Sequence, residues 1–230
     1  MIGKRVVITG GNSGIGLEMI RMLKNGNEVF AVDVETDTLD GIEGIHVFEC
    51  DISSKEGVDG VFEAAVGAMG GIDVFCANAG YAHFGIMDTD WGKAERIFLT
   101  NAVSPIYSYQ KFRDHLDGRE GSFALTCSGM GKMGMPGYSL YSSTKFALDG
   151  FQESVRFENP ANLSFTVCYP VAVDTAFFDD FGDAEKPSPV HQPDSVARRF
   201  VKAIAIGKRK VYSSGLFRFA LVLFTLLPFT

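Results

Sequence analysis

The chain has 230 residues, 46% of them hydrophobic and 21% charged, with 26 glycines; such a composition can bury a core against chain entropy and excludes general disorder. The formal charge of -7, with Lys208-Arg209-Lys210 as the one compact basic run, argues against nucleic acid as a partner. The length suits one large α/β domain, and Cys50, Cys76, Cys127 and Cys168 lack metal-ligand spacing, so they are expected to be buried free thiols with no metal site.

Short apolar runs alternate with amphipathic stretches along the chain. The first, Val6 to Thr9, follows Met1 to Arg5 directly, without the apolar stretch and cleavage site of a secretory signal; this and the free thiols fit a cytoplasmic protein. It feeds Thr9-Gly10-Gly11-Asn12-Ser13-Gly14-Ile15-Gly16, and Leu17 to Lys24 then has helical spacing. A glycine turn between strand and helix lets the backbone approach a pyrophosphate, which the free N–H groups and dipole of the helix start would hold. The GxxxGxG spacing departs from GxGxxG, so a merely tight strand–helix connection stays open.

The second strand, Glu28 to Asp33, ends on a carboxylate where the adenosine ribose would lie; Asp33 repels a 2′-phosphate and no cation follows it closely, which favours NAD over NADP. The alternative is an exposed strand-end carboxylate or helix cap. A third strand, His46 to Asp51, brings Asp51 to the adenine amino group and Ile52 to the ring face. Further strands are predicted at Asp73 to Ala77, Ser122 to Ser128 and Ser164 to Tyr169, with a last short one in KRKVYSS. Runs apolar on both faces and separated by helices indicate a single-domain, Rossmann-type, doubly wound parallel sheet with helices on both faces.

Tyr141-Ser142-Ser143-Thr144-Lys145 opens a predicted helix, and the i, i+4 spacing puts Tyr141 and Lys145 on one face. A phenol with an ordinary pKa of about 10 needs a nearby cation to serve as a base at neutral pH, and Lys145 would supply it. Tyr138 is a rival, but the residue four beyond it is Ser142 rather than a cation.

TGGNSGIG at residues 9–16, Asn78-Ala79-Gly80, Asn101 within LTNAVSP, Ser128 and the Tyr141–Lys145 pair together make the chain resemble the short-chain dehydrogenase/reductase family. The resemblance implies an oxidoreductase that moves a hydride between NAD(H) and a carbonyl/alcohol pair. Tyr141 would be the proton donor or acceptor, Ser128 the hydrogen-bond partner of the reacting oxygen, and Lys145 a contact of the nicotinamide ribose. Asn101 would organise a water that relays protons to Lys145. Gly10, Asn12, Ser13, Gly14, Ile15, Gly16, Asn78, Ala79 and Gly80 would hold the cofactor, with Pro170, Val173 and Thr175 at its nicotinamide end. The usual glycine after Pro170 is replaced by Val171. Assembly as a homodimer or homotetramer is implied through the helices containing Asn101 and Tyr141. Two rival functions on the same fold are a non-catalytic NAD sensor and a nucleotide-sugar epimerase or dehydratase.

Residues 1–214 are expected to form the catalytic domain, including a substrate loop at 176–193 in which Phe177, Phe178 and Phe181 cluster. With Met130, Met133 and Met135, these favour a hydrophobic substrate such as a long alcohol, ketone, steroid, retinoid or acyl compound. The apolar tail 215–230 is too short for an ordinary spanning helix, which needs about 20 apolar residues. Its stretch 216–229 either packs on protein or makes a peripheral membrane contact.

Overall fold

The protein is described from a computed structural model covering residues 1–85, 90–175 and 190–226. The chain begins β1 (Arg5–Thr9), α1 (Gly14–Leu23), β2 (Glu28–Asp33), β3 (His46–Glu49), α2 (Lys55–Met69), β4 (Val74–Ala77) and α3 (Trp91–Phe98). A π-helical turn, Leu99–Val103, then leads into α4 (Ser104–Leu116), β5 (Gly121–Thr126), a 3-10 turn (Gly129–Gly131) and α5 (Ser139–Glu158). The last elements are β6 (Leu163–Tyr169), α6 (Pro193–Ala205), β7 (Lys210–Tyr212) and α7 (Gly215–Leu226).

The seven strands form one parallel sheet in the order β3-β2-β1-β4-β5-β6-β7. Strand alternation divides the core between its faces. Val7, Phe30, Val32, Phe75 and Phe123 pack with α2, α4 and α5, whereas Val6, Ile8, Val29 and Ala31 pack with α1 and α6. Burial on both faces explains why these strands are continuous apolar runs rather than alternating ones. Phe75 stacks between Phe62, at 4.9 Å, and Phe123, at 5.7 Å. At the opposite end from the strand C-termini, Arg5 clasps Asp73 through Nε at 3.0 Å and Nη2 at 2.6 Å, tying β1 to the start of β4.

The order reverses at β1, whose neighbours β2 and β4 carry the chain in opposite directions across the sheet. Open α/β sheets bind ligands outside the strand C-termini at such a switch point. Here that place lies between the loop after β1 and the loop after β4.

Several boundaries differ from the sequence reading. The third strand stops at Glu49 because Asp51 turns to accept a hydrogen bond from the Ser53 N–H at 2.8 Å, and Ser54 then caps α2 through the Gly57 N–H at 3.0 Å. The fifth stops at Thr126 because Ser128 caps the following 3-10 turn, its Oγ accepting from the Met130 N–H at 3.1 Å. Asn101 lies in the π-helical turn, not in a regular α-helix. The tail begins as a helix, α7, which follows the edge strand β7. Phe177, Phe178 and Phe181, most of the expected substrate loop, and the last four tail residues lie outside the described residues. All four cysteines are free; Cys76, Cys127 and Cys168 are buried and Cys50 is partly so.

Candidate active site

A cavity of about 950 Å³ opens at the switch point. Its floor is the turn after β1. Gly10 has a φ of +70°, which glycine adopts without steric cost, and a Cβ there would lie 2.7 Å from the Ala79 Cα. A Cβ on Gly16 would collide with the Gly10 carbonyl oxygen, so α1 can begin directly against the turn only with glycine at that position. The N-cap residue Ser13 makes no side-chain cap hydrogen bond. The first-turn N–H groups beside Ser13, Gly14 and Ile15, all of which border the cavity, thus lack intrahelical partners and suit an anionic group. Gly16→Ala is expected to lower the unfolding free energy by ~1–3 kcal/mol in urea titrations; an unchanged midpoint would show that the turn relaxes around the added methyl.

The loop after β4 is locked onto this turn. Asn78 Nδ2 donates to the carbonyls of Thr9 at 3.2 Å and Gly10 at 3.0 Å, while its Oδ1 accepts from Thr126 Oγ1 at 2.9 Å. One amide side chain therefore fixes β1, β4 and β5 relative to one another at the cavity. Asp33 borders the cavity and accepts from the backbone N–H groups of Asn12 and Val34, each at 2.8 Å. The Asn12 side chain turns away from the cavity, donating to Asp37 at 2.6 Å and accepting from the Thr38 N–H at 2.9 Å. Backbone hydrogen bonding from Ser53 holds the Asp51 carboxyl below its usual range, with a smaller contribution from Arg96.

At the other end of the cavity stand Ser128, Tyr141 and Lys145. The side chains of Tyr141 and Ser128 are hydrogen bonded, and the Lys145 Nζ lies 5.5 Å from the centre of the Tyr141 ring. Lys145 donates to the Thr126 carbonyl at 3.2 Å. Burial is the dominant influence on both groups. It pushes the Tyr141 phenol up, against the Ser128 hydrogen bond, and brings the Lys145 ammonium down to about 8. Burial thus outweighs the lowering expected from the Lys145 cation in this state, and Tyr141 is held as a neutral acid.

Asn101 is fully buried behind this group. Its Oδ1 accepts from the Tyr81 N–H at 3.0 Å, and its Nδ2 donates to the Tyr81 carbonyl at 2.7 Å and to Thr144 Oγ1 at 3.3 Å. A π-helical turn aims this side chain out of the helix run toward the loop after β4, a common use of π-bulges. A Cβ on Gly80 would lie 3.0 Å from Asn101 Oδ1 and 3.5 Å from Lys145 Nζ, so both atoms flank the same point.

The model of the short chain dehydrogenase family matches residues 4–186, spanning the glycine turn, the Ser128–Tyr141–Lys145 group and everything between. The chain belongs to the short-chain dehydrogenase/reductase family. It is 32% identical over 229 residues to the uncharacterized oxidoreductase YxnA of Bacillus subtilis, covering 90% of this chain and 64% of YxnA. Identity to the 3-ketodihydrosphingosine reductase of Bos taurus is 28%, covering 87% of this chain and 68% of the relative. For the human epidermal retinol dehydrogenase 2 it is 26%, covering 98% and 79%. Among solved structures, a Burkholderia phymatum family member in complex with NAD superposes with a TM-score of 0.86 at 18% identity, covering 98% of this chain and 94% of that one. A Burkholderia cenocepacia member in complex with NADP gives 0.80 at 23%, covering 92% and 96%. These structures share the fold of this short-chain dehydrogenase/reductase.

Most residues singled out from the sequence border the one cavity: Gly10, Ser13, Gly14, Ile15, Asp33, Asp51, Ile52, Asn78, Ala79, Gly80, Ser128, Tyr141, Lys145, Pro170, Val173 and Thr175. Asn12, Gly16 and Asn101 do not line it; they brace residues that do. Tyr138 is also outside the lining, its ring 5.1 Å from that of Phe84. Sequence reasoning missed Arg96 and Tyr81 on the α3 side, and Ser214, Leu216, Phe217 and Ala220 at the start of α7. Arg96 lies five residues before Asn101 and had no motif to mark it. The α7 residues were visible only as an apolar run.

Proposed function

We propose that this protein is an oxidoreductase transferring a hydride between NAD(H) and the carbonyl/alcohol group of an apolar substrate. The observation that carries the reading is one cavity joining an uncapped helix start and Asp33 to a buried, hydrogen-bonded Ser128–Tyr141 pair beside Lys145. The glycine cradle fits a dinucleotide: Gly10, Ser13, Gly14 and Ile15 would hold its pyrophosphate, Asp33 its ribose hydroxyls, Asp51 and Ile52 its adenine. Pro170, Val173 and Thr175 would border its nicotinamide, with Thr175 already packed against the turn at Gly14. When bound, the cofactor supplies the hydride donor or acceptor.

The chain's own residues supply the proton chemistry. Tyr141, kept neutral by burial, gives its proton to a developing alkoxide during reduction, and Ser128 donates a second hydrogen bond to that oxygen. The phenolate left on Tyr141 after reduction, which is also the base that takes the alcohol proton in the oxidative direction, is offset by the Lys145 ammonium. Asn101 fixes Tyr81 and Thr144, and a water beside Gly80 between Asn101 and Lys145 would return protons from solvent. A cofactor sensor would not require an ammonium buried without a carboxylate partner among the described residues, which is costly to hold.

An apolar substrate is supported by Met130, Met133, Leu216 and Phe217 in the cavity wall and by relatives named for 3-ketodihydrosphingosine and retinol. Self-association as a homodimer or homotetramer is part of the proposal: Val103 in the π-helical turn and Phe146 on α5 are exposed apolar side chains on the implied helices. For the cofactor, fluorescence titration is expected to show NADH binding at least ~10-fold tighter than NADPH, because Asp33 meets the 2′-phosphate with like charge. Asp33→Ser is expected to narrow that ratio. Equal affinities in the parent protein would remove the case for NAD.

A further inference from the structure

Helix α7 presents two different apolar faces. Phe217 and Ala220 line the cavity, with Phe217 lying over Gly129 and beside Tyr212. Facing away are Phe219, Val222 and Leu223, exposed by 61%, 52% and 41%, and Leu216, 72% exposed, stands at the cavity rim between the two faces. At about 100° per residue these four fall within an arc of about 120°, and Arg218 stands at its flank. A stripe of large apolar side chains on a helix that already has its packed side is not needed for the core. Scattered exposed apolar residues are ordinary; a contiguous stripe marks an interaction surface.

The charge distribution indicates what covers it. The protein carries a net charge of -7, yet residues 195–230 contain seven lysines and arginines and no acidic side chain. Arg218 is on α7 itself, Lys202 is exposed on α6, and Lys208 and Arg209 are exposed in the turn between α6 and β7. Arg198 pairs with Asp194 and Lys210 with Glu153, which leaves Lys202, Lys208, Arg209 and Arg218 without an ion pair among the described residues, beside the apolar stripe. An anionic lipid surface requires both: acyl chains take the stripe, and headgroups take the cations, each too weak alone for stable attachment. No described helix is long and apolar enough to cross a membrane, so the helix would lie in the interface.

We propose that α7 docks the protein on anionic lipid membranes through Leu216, Phe219, Val222 and Leu223, with Arg218 at the headgroups. Because the opposite face of the same helix walls the cavity, docking sets the cavity beside the acyl layer, from which an apolar substrate enters without crossing water. Docking itself does not depend on the proposed catalysis.

The test is flotation of the full chain with vesicles of phosphatidylcholine alone and of phosphatidylcholine with phosphatidylserine, beside the double variant Phe219→Glu/Leu223→Glu. Neither substituted residue borders the cavity, so NADH titration and circular dichroism serve as controls for the fold. The parent is expected to float with the anionic vesicles, with recovery falling as salt rises, and the variant to lose ~10-fold or more of the bound fraction. Equal flotation of both proteins, or no flotation of the parent, overturns the proposal. So does a parent that fails to float but forms a concentration-dependent dimer abolished in the variant, which would assign the stripe to self-association.

Discussion

Tyr141→Phe is expected to lower turnover by ~10²–10⁴-fold while leaving NADH affinity within about a factor of two of the parent. The ring fills the same buried space, so packing among Tyr141, Ile97 and their neighbours is kept; only the hydroxyl is lost. That hydroxyl is hydrogen bonded to Ser128 and held neutral by burial. A comparable loss in Ser128→Ala, without further loss in the double variant, would show that the two side chains act as one unit. Full activity in Tyr141→Phe would remove Tyr141 from the chemistry and leave Ser128 and Lys145 without an acid to assist.

Lys145→Met is expected to lower turnover by ~10²–10³-fold and, at pH 7, to raise unfolding stability by ~2 kcal/mol. Stability rises because Lys145 is buried with its ammonium brought from the ordinary 10.5 down to about 8. Below pH 8 the folded protein must keep this proton in a desolvated site, whereas the unfolded chain keeps it in water. Between pH 8 and 10.5 the unfolded state binds more protons at this residue than the folded state, so its contribution to stability increases with pH. A shift of this size corresponds to about 3 kcal/mol at most, reduced in the variant by the hydrogen bond that the Thr126 carbonyl loses. The gain is therefore expected at pH 7 and to shrink steadily by pH 10. Cys76, Cys127, Cys168 and Tyr141, whose pKa values are raised by burial, bend both stability curves in the opposite direction and largely cancel in the difference. Urea titrations of both proteins at several pH values read it directly, and a difference independent of pH would mean that Lys145 is not desolvated.

The sheet was legible because burial on both faces leaves a plain mark: Val6 to Thr9 and Glu28 to Asp33 are apolar runs too short for helices and separated by helical spacing. The glycine turn was legible because Gly10 and Gly16 stand where a side chain cannot. Tyr141 and Lys145 were legible because one helical turn brings them to one face. Interactions decided between distant segments were not. Asn12 sits in the turn yet serves Asp37 and Thr38, a choice made by the loop after β2. The π-helical turn at Asn101 has no glycine or proline of its own; it is held by hydrogen bonds to Tyr81 and Thr144 from two other elements. Burial likewise reversed the simple expectation for the Tyr141 phenol, because sequence spacing reports a nearby cation but not the loss of water around both groups. The role of α7 in the cavity wall depends on Phe217 meeting Gly129, 88 positions earlier in the chain.

The central claim, hydride transfer between NAD(H) and an apolar carbonyl/alcohol pair, is tested most directly by following nicotinamide absorbance with a panel of long-chain ketones and alcohols, with Tyr141→Phe in parallel. NADH-dependent reduction of at least one apolar ketone is expected of the parent protein, with its loss in the variant. Tight NADH binding with no turnover of any panel member, or turnover that survives in Tyr141→Phe, would contradict it.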